Sequence, residues 1–330
     1  MVYETTKFCF NRLVVNYRNL LRRIQRKRSP LQFVYSDAYW MVDIGDHVFP
    51  MDKYRLIYQW LLRDGVKKDN ILPPAPAVDE DILLVHTPKY YKKLRSGRLS
   101  TADLITLELP YSEKLLDYFR LTIGGSILSS RRALENGLAF HIGGGFHHAF
   151  ADHGEGFCLL NDIAIAIEVL IRDGKARKVM VVDCDVHQGN GTAAVFEGRK
   201  DVLTFSIHQM DIYPAQKMKS TVDVGLWSGD GDGPYLFALK VHIPRLMMAY
   251  RPDIVFFIAG ADPSARDQLG GLNLSFEGLI ERDKTVLAGA RALDIPTVVL
   301  LAGGYASDIN DTVRVHVNTI QTAKKIHKLF

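Results

Sequence analysis

The stretch Lys178-Val179-Met180-Val181-Val182-Asp183-Cys184-Asp185-Val186-His187 passes within ten residues from an apolar, β-branched run to a cluster of carboxylates and an imidazole. An apolar run with no polar alternation fits a strand buried on both faces, as strands of a parallel sheet are. Four other runs read the same way: Phe33 to Tyr35, Val202 to Ile207, Ile254 to Ile258 and Thr297 to Leu301. Between them, Leu115 to Asn136, Asp162 to Asp173 and Phe276 to Leu293 carry apolar residues at steps of three and four, the spacing of amphipathic helices. This alternation predicts an α/β domain, a central and mostly parallel sheet flanked by helices on both faces. The Pro-containing stretches Leu72 to Val78 and Asp211 to Pro214 read as loops.

Two more of these strands end in chemistry. Phe257-Ile258 is followed by Ala259-Gly260-Ala261-Asp262, and Leu300-Leu301 by Ala302-Gly303-Gly304-Tyr305. Ligands of open α/β sheets bind beyond the carboxyl ends of the strands, so the three segments are expected to meet in one crevice. Asp185 and His187, two apart in extended chain, point the same way and suit one cation, with Asp183 behind them. Asp262 is the best third ligand, because Gly260 allows close backbone approach. One nitrogen and two oxygen donors with a free position suit a catalytic Zn²⁺ or Fe²⁺. A strand-end Asp and His also serve simply to satisfy loop amides, and the spacing alone leaves both readings open.

The run His141-Ile142-Gly143-Gly144-Gly145-Phe146-His147-His148 adds two adjacent imidazoles to a tight glycine turn. No Gly-Lys-Ser/Thr follows, which argues against a phosphate-binding loop. His141 and His153 read as ordinary loop residues. Gly229-Asp230-Gly231-Asp232-Gly233 begins like a calcium loop, but the twelfth position from Asp230 is Val241 rather than Glu, so it reads as a turn. Together the signals suggest amide hydrolysis: a metal-activated water, a histidine to take its proton, and Tyr305 to donate its hydroxyl to the carbonyl oxygen. Capping of a strand end is the other reading of Tyr305.

With 330 residues, 47% of them hydrophobic, the chain is long enough to bury a large core without covalent staples. Cys9, Cys158 and Cys184 make no disulfide framework, and no apolar run approaches the roughly 18 residues that span a bilayer; a cytoplasmic protein is expected. The net charge of +4 is unevenly spread. Residues 1–30 carry eight Lys and Arg against one acid, Glu4, with Leu13, Tyr17, Leu20, Leu21 and Ile24 at helical spacing. Such a segment is an organelle-targeting leader, a weak contact for an anionic surface, or a solvated helix docked on the domain. Residues 31–330 read as one catalytic domain, with no direct nucleic-acid binding expected.

These motifs resemble the zinc-dependent histone deacetylases of the arginase and deacetylase fold, and among them the class IV branch with its bacterial relatives. The matching segments are Gly143-Gly144-Gly145-Phe146-His147-His148-Ala149, Gly156-Phe157-Cys158-Leu159-Leu160-Asn161-Asp162, Asp183 to Gly191, Gly260-Ala261-Asp262-Pro263 and Gly303-Gly304-Tyr305. Weaker matches are Val85-His86-Thr87-Pro88 and Tyr35-Ser36 with His47-Val48-Phe49-Pro50. The resemblance covers about residues 31–325. It implies Asp185, His187 and Asp262 as Zn²⁺ ligands and Tyr305 as carbonyl polariser. His148 becomes the general base and proton shuttle, and His147, oriented by Asp183, acts mainly through its field. Asn190 stands where class I members carry an Asp behind the second histidine.

The resemblance further implies that Gly156 and Phe157 line the acyl-lysine channel. A structural K⁺ would sit near Asp183, Asp185, His187 and Ser206. The family's acidic residue at the channel rim falls in the stretch that holds Asp103 and Glu108, without a motif to choose between them. Leu226 and Trp227 are candidates to shape an enlarged acyl pocket. The implied activity is removal of acetyl or longer acyl groups from protein lysines. Acetylpolyamine hydrolysis is the small-molecule rival, weakened because Leu269 stands where polyamine-selective relatives carry an acidic gatekeeper. An arginase-type dimetal site is disfavoured by Gly189 and Ser264, which occupy the places of its bridging carboxylates. A silent zinc-binding scaffold is the non-enzymatic rival.

Overall fold

Eight strands lie side by side, all parallel, in the computed structural model, whose described residues run from 30 to 329. They are β1 (Gln32–Val34), β2 (Ile71–Leu72), β3 (Leu138–His141), β4 (Val179–Asp183), β5 (Val202–Gln209), β6 (Val222–Leu226), β7 (Ile254–Ile258) and β8 (Thr297–Leu300), in the spatial order β2-β1-β3-β8-β7-β4-β5-β6. Every residue of β3, β4, β5, β7 and β8 is buried, which is why four of these five read as predominantly apolar runs. The edge strand β6 instead shows partial exposure in alternation.

Helices cover the two faces in two packed sets, Glu113–Asn136 with Asp162–Arg172 in one, and Asp232–Tyr250, Phe276–Ala292, Ile309–Leu329 and Asp52–Arg63 in the other. Their ends are chemically marked. Ser112, Asn161 and Ser275 each accept a backbone N–H of the first turn, and Gly137 closes Glu113–Asn136 in the left-handed conformation at φ 87°. Several elements go beyond the reading of the sequence. β2 occupies the start of a stretch that reads as a loop, β3 has no separate signal in the sequence, and Asp232–Tyr250 forms around an internal Pro244 that argues against a helix. The turn expected at 229–233 falls slightly earlier, closed by Asp230 N–H on the Trp227 carbonyl at 2.9 Å, while Asp232 and Gly233 already begin the helix; Asp232 uses its carboxylate to hold the Ser275 hydroxyl at 2.6 Å. Among the described residues no helix is long and apolar enough to cross a membrane. The basic segment, with its targeting and surface-binding readings and most of the 1–30 boundary, lies outside the described residues.

Candidate active site

Strand register aligns the reactive loops. His141 pairs with Leu300, Leu300 with Ile258, Ile258 with Asp183, and Asp183 with Ser206. Four adjacent strands, β3, β8, β7 and β4, therefore end at one level, and their following loops deliver His147–His148, Tyr305, Asp262 and Asp185–His187 to a common crevice.

Asp185, His187 and Asp262 are all buried and offer three ligand atoms within 4.8 Å of one another. Backbone amides set their directions. Gly303 N–H donates to Asp185 Oδ2 at 3.1 Å and Val186 N–H to Asp262 Oδ1 at 3.0 Å. Among the described residues Asp262 Oδ2 has no hydrogen-bond partner, although buried, and it lies 3.4 Å from His187 Nδ1. A Cβ on Gly303 would overlap that same oxygen, so only glycine lets the loop pass there.

The charges are strained in a telling way. Burial, then the neighbouring Asp185 charge, pushes Asp262 up to about 8. Burial opposes a charged His187, yet its hydrogen bond to Asp185 and the close Asp262 carboxylate outweigh it and raise the imidazole to about 10. The carboxylates are thus asking for a cation between them, and a buried carboxylate oxygen with no partner is where one fits. The donor set of one imidazole and two carboxylates suits Zn²⁺ or Fe²⁺.

The two adjacent imidazoles lie with ring centroids 4.2 Å apart. His147 Nδ1 donates to Asp183 Oδ2 at 2.7 Å, and His148 Nδ1 to Asn190 Oδ1 at 2.7 Å. Their loop is pinned from below by a relay that makes His141 far more than a loop residue. His141 ends β3, fully buried, accepting from the Tyr39 hydroxyl at 2.8 Å and donating to Ser126 Oγ at 2.9 Å; Ser126 in turn donates to Asp162. Asp162 accepts the backbone N–H groups of Gly145 at 3.1 Å and Phe146 at 2.7 Å, fixing the turn just before the histidines. His153, by contrast, is a half-buried loop residue paired with Asp152.

Tyr305 is held by its main chain. Its N–H donates to Asp267 at 2.6 Å and its carbonyl accepts from Gln268 at 2.7 Å. Burial and the Asp185 and Asp262 charges push its hydroxyl well above the usual range, so it remains a donor. Beneath it, Lys53 is fully buried, donating to the Ala302 carbonyl at 2.7 Å, and burial lowers its ammonium to about 8.

A pocket of about 170 Å³ opens over these groups, lined by Glu108, His148, Gly156, Phe157, His187, Tyr213, Leu269 and Tyr305. Gly156 and Phe157 line it as expected, both at positive φ, and a Cβ on Gly156 would stand 2.6 Å from the Tyr213 hydroxyl. Tyr213 escapes sequence reasoning, since it belongs to no motif; the Pro214 that follows it marks only a loop. The two acids of the rim stretch are placed differently. Glu108 lines the pocket, while Asp103 is spent on the Ser100 capping box and on Lys93 at 2.9 Å. Leu226 and Trp227 do not shape this pocket: Leu226 is buried in β6 and Trp227 is exposed on the following turn. Ser206 pairs with Asp183 in register and its hydroxyl lies 2.9 Å from His208 Nδ1.

Comparison with known proteins agrees with this geometry. An uncharacterised protein of Picosynechococcus sp. is 38% identical over 295 residues, covering 89% of this chain and 98% of its own. Histone deacetylase 2 of Arabidopsis thaliana is 31% identical over 312 residues, covering 90% of this chain and 79% of that protein. The crystal structure of the HDA15 HD domain superposes with a TM-score of 0.72 at 24% identity, covering 89% of this chain and 90% of the other, and shares the fold. The sequence profile of the histone deacetylase domain matches residues 47–320. The chain belongs to the histone deacetylase family of hydrolases.

Proposed function

We propose that the chain is a metal-dependent amidohydrolase of the class IV type that removes a short acyl group from the ε-nitrogen of lysine in a protein or peptide. Asp185, His187 and Asp262 would hold Zn²⁺, with Fe²⁺ as the alternative, and K⁺ is assigned to the neighbourhood of Asp183 and Ser206. The observation that carries this reading is the unpartnered Asp262 Oδ2, buried beside His187 under the pocket floor. When bound, a divalent cation supplies Lewis acidity that lowers the pKa of water from about 15.7 to about 7.

The chain's own residues supply the rest. His148, with Nδ1 committed to Asn190, presents Nε2 to the pocket as general base; the same atom then returns the proton to the departing lysine nitrogen. His147, locked to Asp183, contributes its field. The Tyr305 hydroxyl donates to the carbonyl oxygen as negative charge develops, a contact worth roughly 3 kcal/mol. Phe157 and Tyr213 wall the lysine stem, and Glu108 at the rim accepts from the substrate backbone.

The cavity behind this floor, bounded by Phe49, Phe146 and Ala302 among others, is only about 20 Å³, little more than one water needs. That supports acetyl over fatty acyl groups. Leu269, an apolar wall, supports acyl-lysine over acetylpolyamines. Among the described residues the buried thiols Cys158 and Cys184 are free, which supports a reducing, cytoplasmic setting.

The test is turnover of fluorogenic acetyl-lysine and myristoyl-lysine peptides and of acetylpolyamines by zinc-loaded protein. Acetyl-lysine is expected to be cleaved at least about tenfold faster than the others. Absence of turnover on all of them would overturn the reading in favour of a zinc-binding scaffold.

A further inference from the structure

Asn190 poses a problem of orientation. A primary amide offers an acceptor on one side and a donor on the other, and either can face an imidazole nitrogen. If the donor faced His148, the imidazole would have to carry its proton on Nε2, and the pocket would be offered an acid instead of a base.

Something on the far side of Asn190 must settle this, and Glu155 is there. Asn190 Nδ2 donates to Glu155 Oε1 at 2.7 Å, and the same oxygen accepts from the Tyr213 hydroxyl at 2.7 Å. His153 Nε2 stands 3.4 Å from the other carboxylate oxygen. An ionised carboxylate only accepts, so a flipped amide would set two acceptors against each other at this distance. Burial opposes the charge on Glu155, but hydrogen bonds from His153, Tyr213 and Asn190 outweigh it and hold the group below the usual carboxylate range.

We propose that Glu155 is a positioning residue which, through the Asn190 amide, fixes His148 with its proton on Nδ1 and its Nε2 bare toward the pocket. The relay runs from carboxylate to amide to imidazole. It confers the directional effect of a carboxylate behind the histidine while keeping the negative charge one residue further away. Because Tyr213 shares the same carboxylate oxygen, the relay also ties the channel wall to the base. Its catalytic meaning rests on the amidohydrolase reading above, whereas its structural content does not.

The test uses the full-length, zinc-loaded chain labelled with ¹⁵N-histidine, with His148 assigned by its loss in His148→Gln. Ring-nitrogen shifts of Glu155→Gln, Asn190→Asp and the double variant are recorded beside turnover. In the parent, Nδ1 should be protonated and Nε2 bare. Glu155→Gln, whose amide can face Asn190 with either end, should mix the two tautomers and cut turnover roughly tenfold. Asn190→Asp alone sets two carboxylates together and should also cost about tenfold. The double variant exchanges the two groups, so that an amide at position 155 donates to a carboxylate at position 190. It should return Nδ1–H on His148, with turnover within about threefold of the parent.

Parent-like shifts and turnover in Glu155→Gln would overturn the proposal, as would a double variant whose losses simply multiply. Should Glu155→Gln fail to fold, the comparison of Asn190→Asp with the double variant decides: rescue supports the relay and its absence refutes it. A parent that hydrolyses no acyl amide would sink the function, while the ¹⁵N shifts would still judge the relay.

Discussion

His147 and His148 are neighbours in one loop, both buried, and each donates Nδ1 to an oxygen at 2.7 Å. The partners differ in kind, a carboxylate for His147 and an amide for His148. Burial lowers both imidazoles, but the Asp183 and Asp185 charges reverse this for His147 and lift it to about 9. For His148, burial and the positive charge on His147 and His187 outweigh the amide, and the ring is driven well below its usual value. A cation at Asp185, His187 and Asp262 would add positive charge near both rings and lower both, without erasing the difference between their partners. The lesson is a division of labour: a hydrogen bond of one length can hold an imidazole as a fixed charge or as a neutral acceptor, depending on what accepts it.

The largest expected effect comes from removing a candidate metal ligand that packs against His148. His187→Ala should leave the purified protein nearly free of metal and reduce turnover by roughly a thousandfold or more, with the fold retained by circular dichroism. Metal analysis reads this directly; full metal occupancy in the variant would remove His187 from the ligand set. Next in size is Tyr305→Phe, which leaves both histidines and the metal ligands intact. It should keep bound metal and lose about a hundredfold in kcat. Near-parent kcat would mean that neither histidine works opposite a hydroxyl donor.

Asp183→Asn makes the two partners alike and tests the comparison itself. With an amide behind each ring, the raised imidazole of His147 should fall toward that of His148. A loss of about 10- to 100-fold in kcat/KM, with metal content preserved, is expected from removing such a supporting partner. A variant as active as the parent would show that the carboxylate is dispensable and the asymmetry incidental.

Much of this contrast is legible in the sequence, because strand-end motifs place their residues by the period of the chain: Asp185 and His187 on one side, Asp262 and Tyr305 at the ends of neighbouring apolar runs. The five predicted strands and three predicted helices stand within two residues of expectation. What escapes is set by tertiary context. Leu138–His141 is four residues long and merges into the glycine loop, so its terminal His141 looks like part of that loop. Val222–Leu226 carries Asp223 and Gly225 and borders the sheet on one side only, which removes the apolar signal. Glu155, Glu108 and Tyr213 reach the site from loops, where neither periodicity nor a neighbouring motif reports direction.

The smallest effect concerns histidines that the site keeps neutral for structural reasons, and it sharpens what is special about His147. His141 is lowered to about 3 and His86 to about 4, burial being the first cause for each. His86 Nε2 accepts the Asn161 backbone N–H at 3.0 Å, a bond that a proton on that nitrogen abolishes. Unfolded histidine titrates near 6.5. Between about pH 6.5 and 4 the unfolded chain therefore binds protons that the folded chain refuses, and stability falls as pH falls. Each such histidine contributes a slope of about 1.4 kcal/mol per pH unit once its unfolded form is fully protonated. Replacing His86 by Gln, whose carbonyl can still accept from Asn161, should lower the acid slope of urea-derived stability by about that amount while changing little near neutral pH. An unchanged slope would mean that His86 takes up its proton in the folded state near its ordinary value, and burial would then fail as the explanation for its lowering.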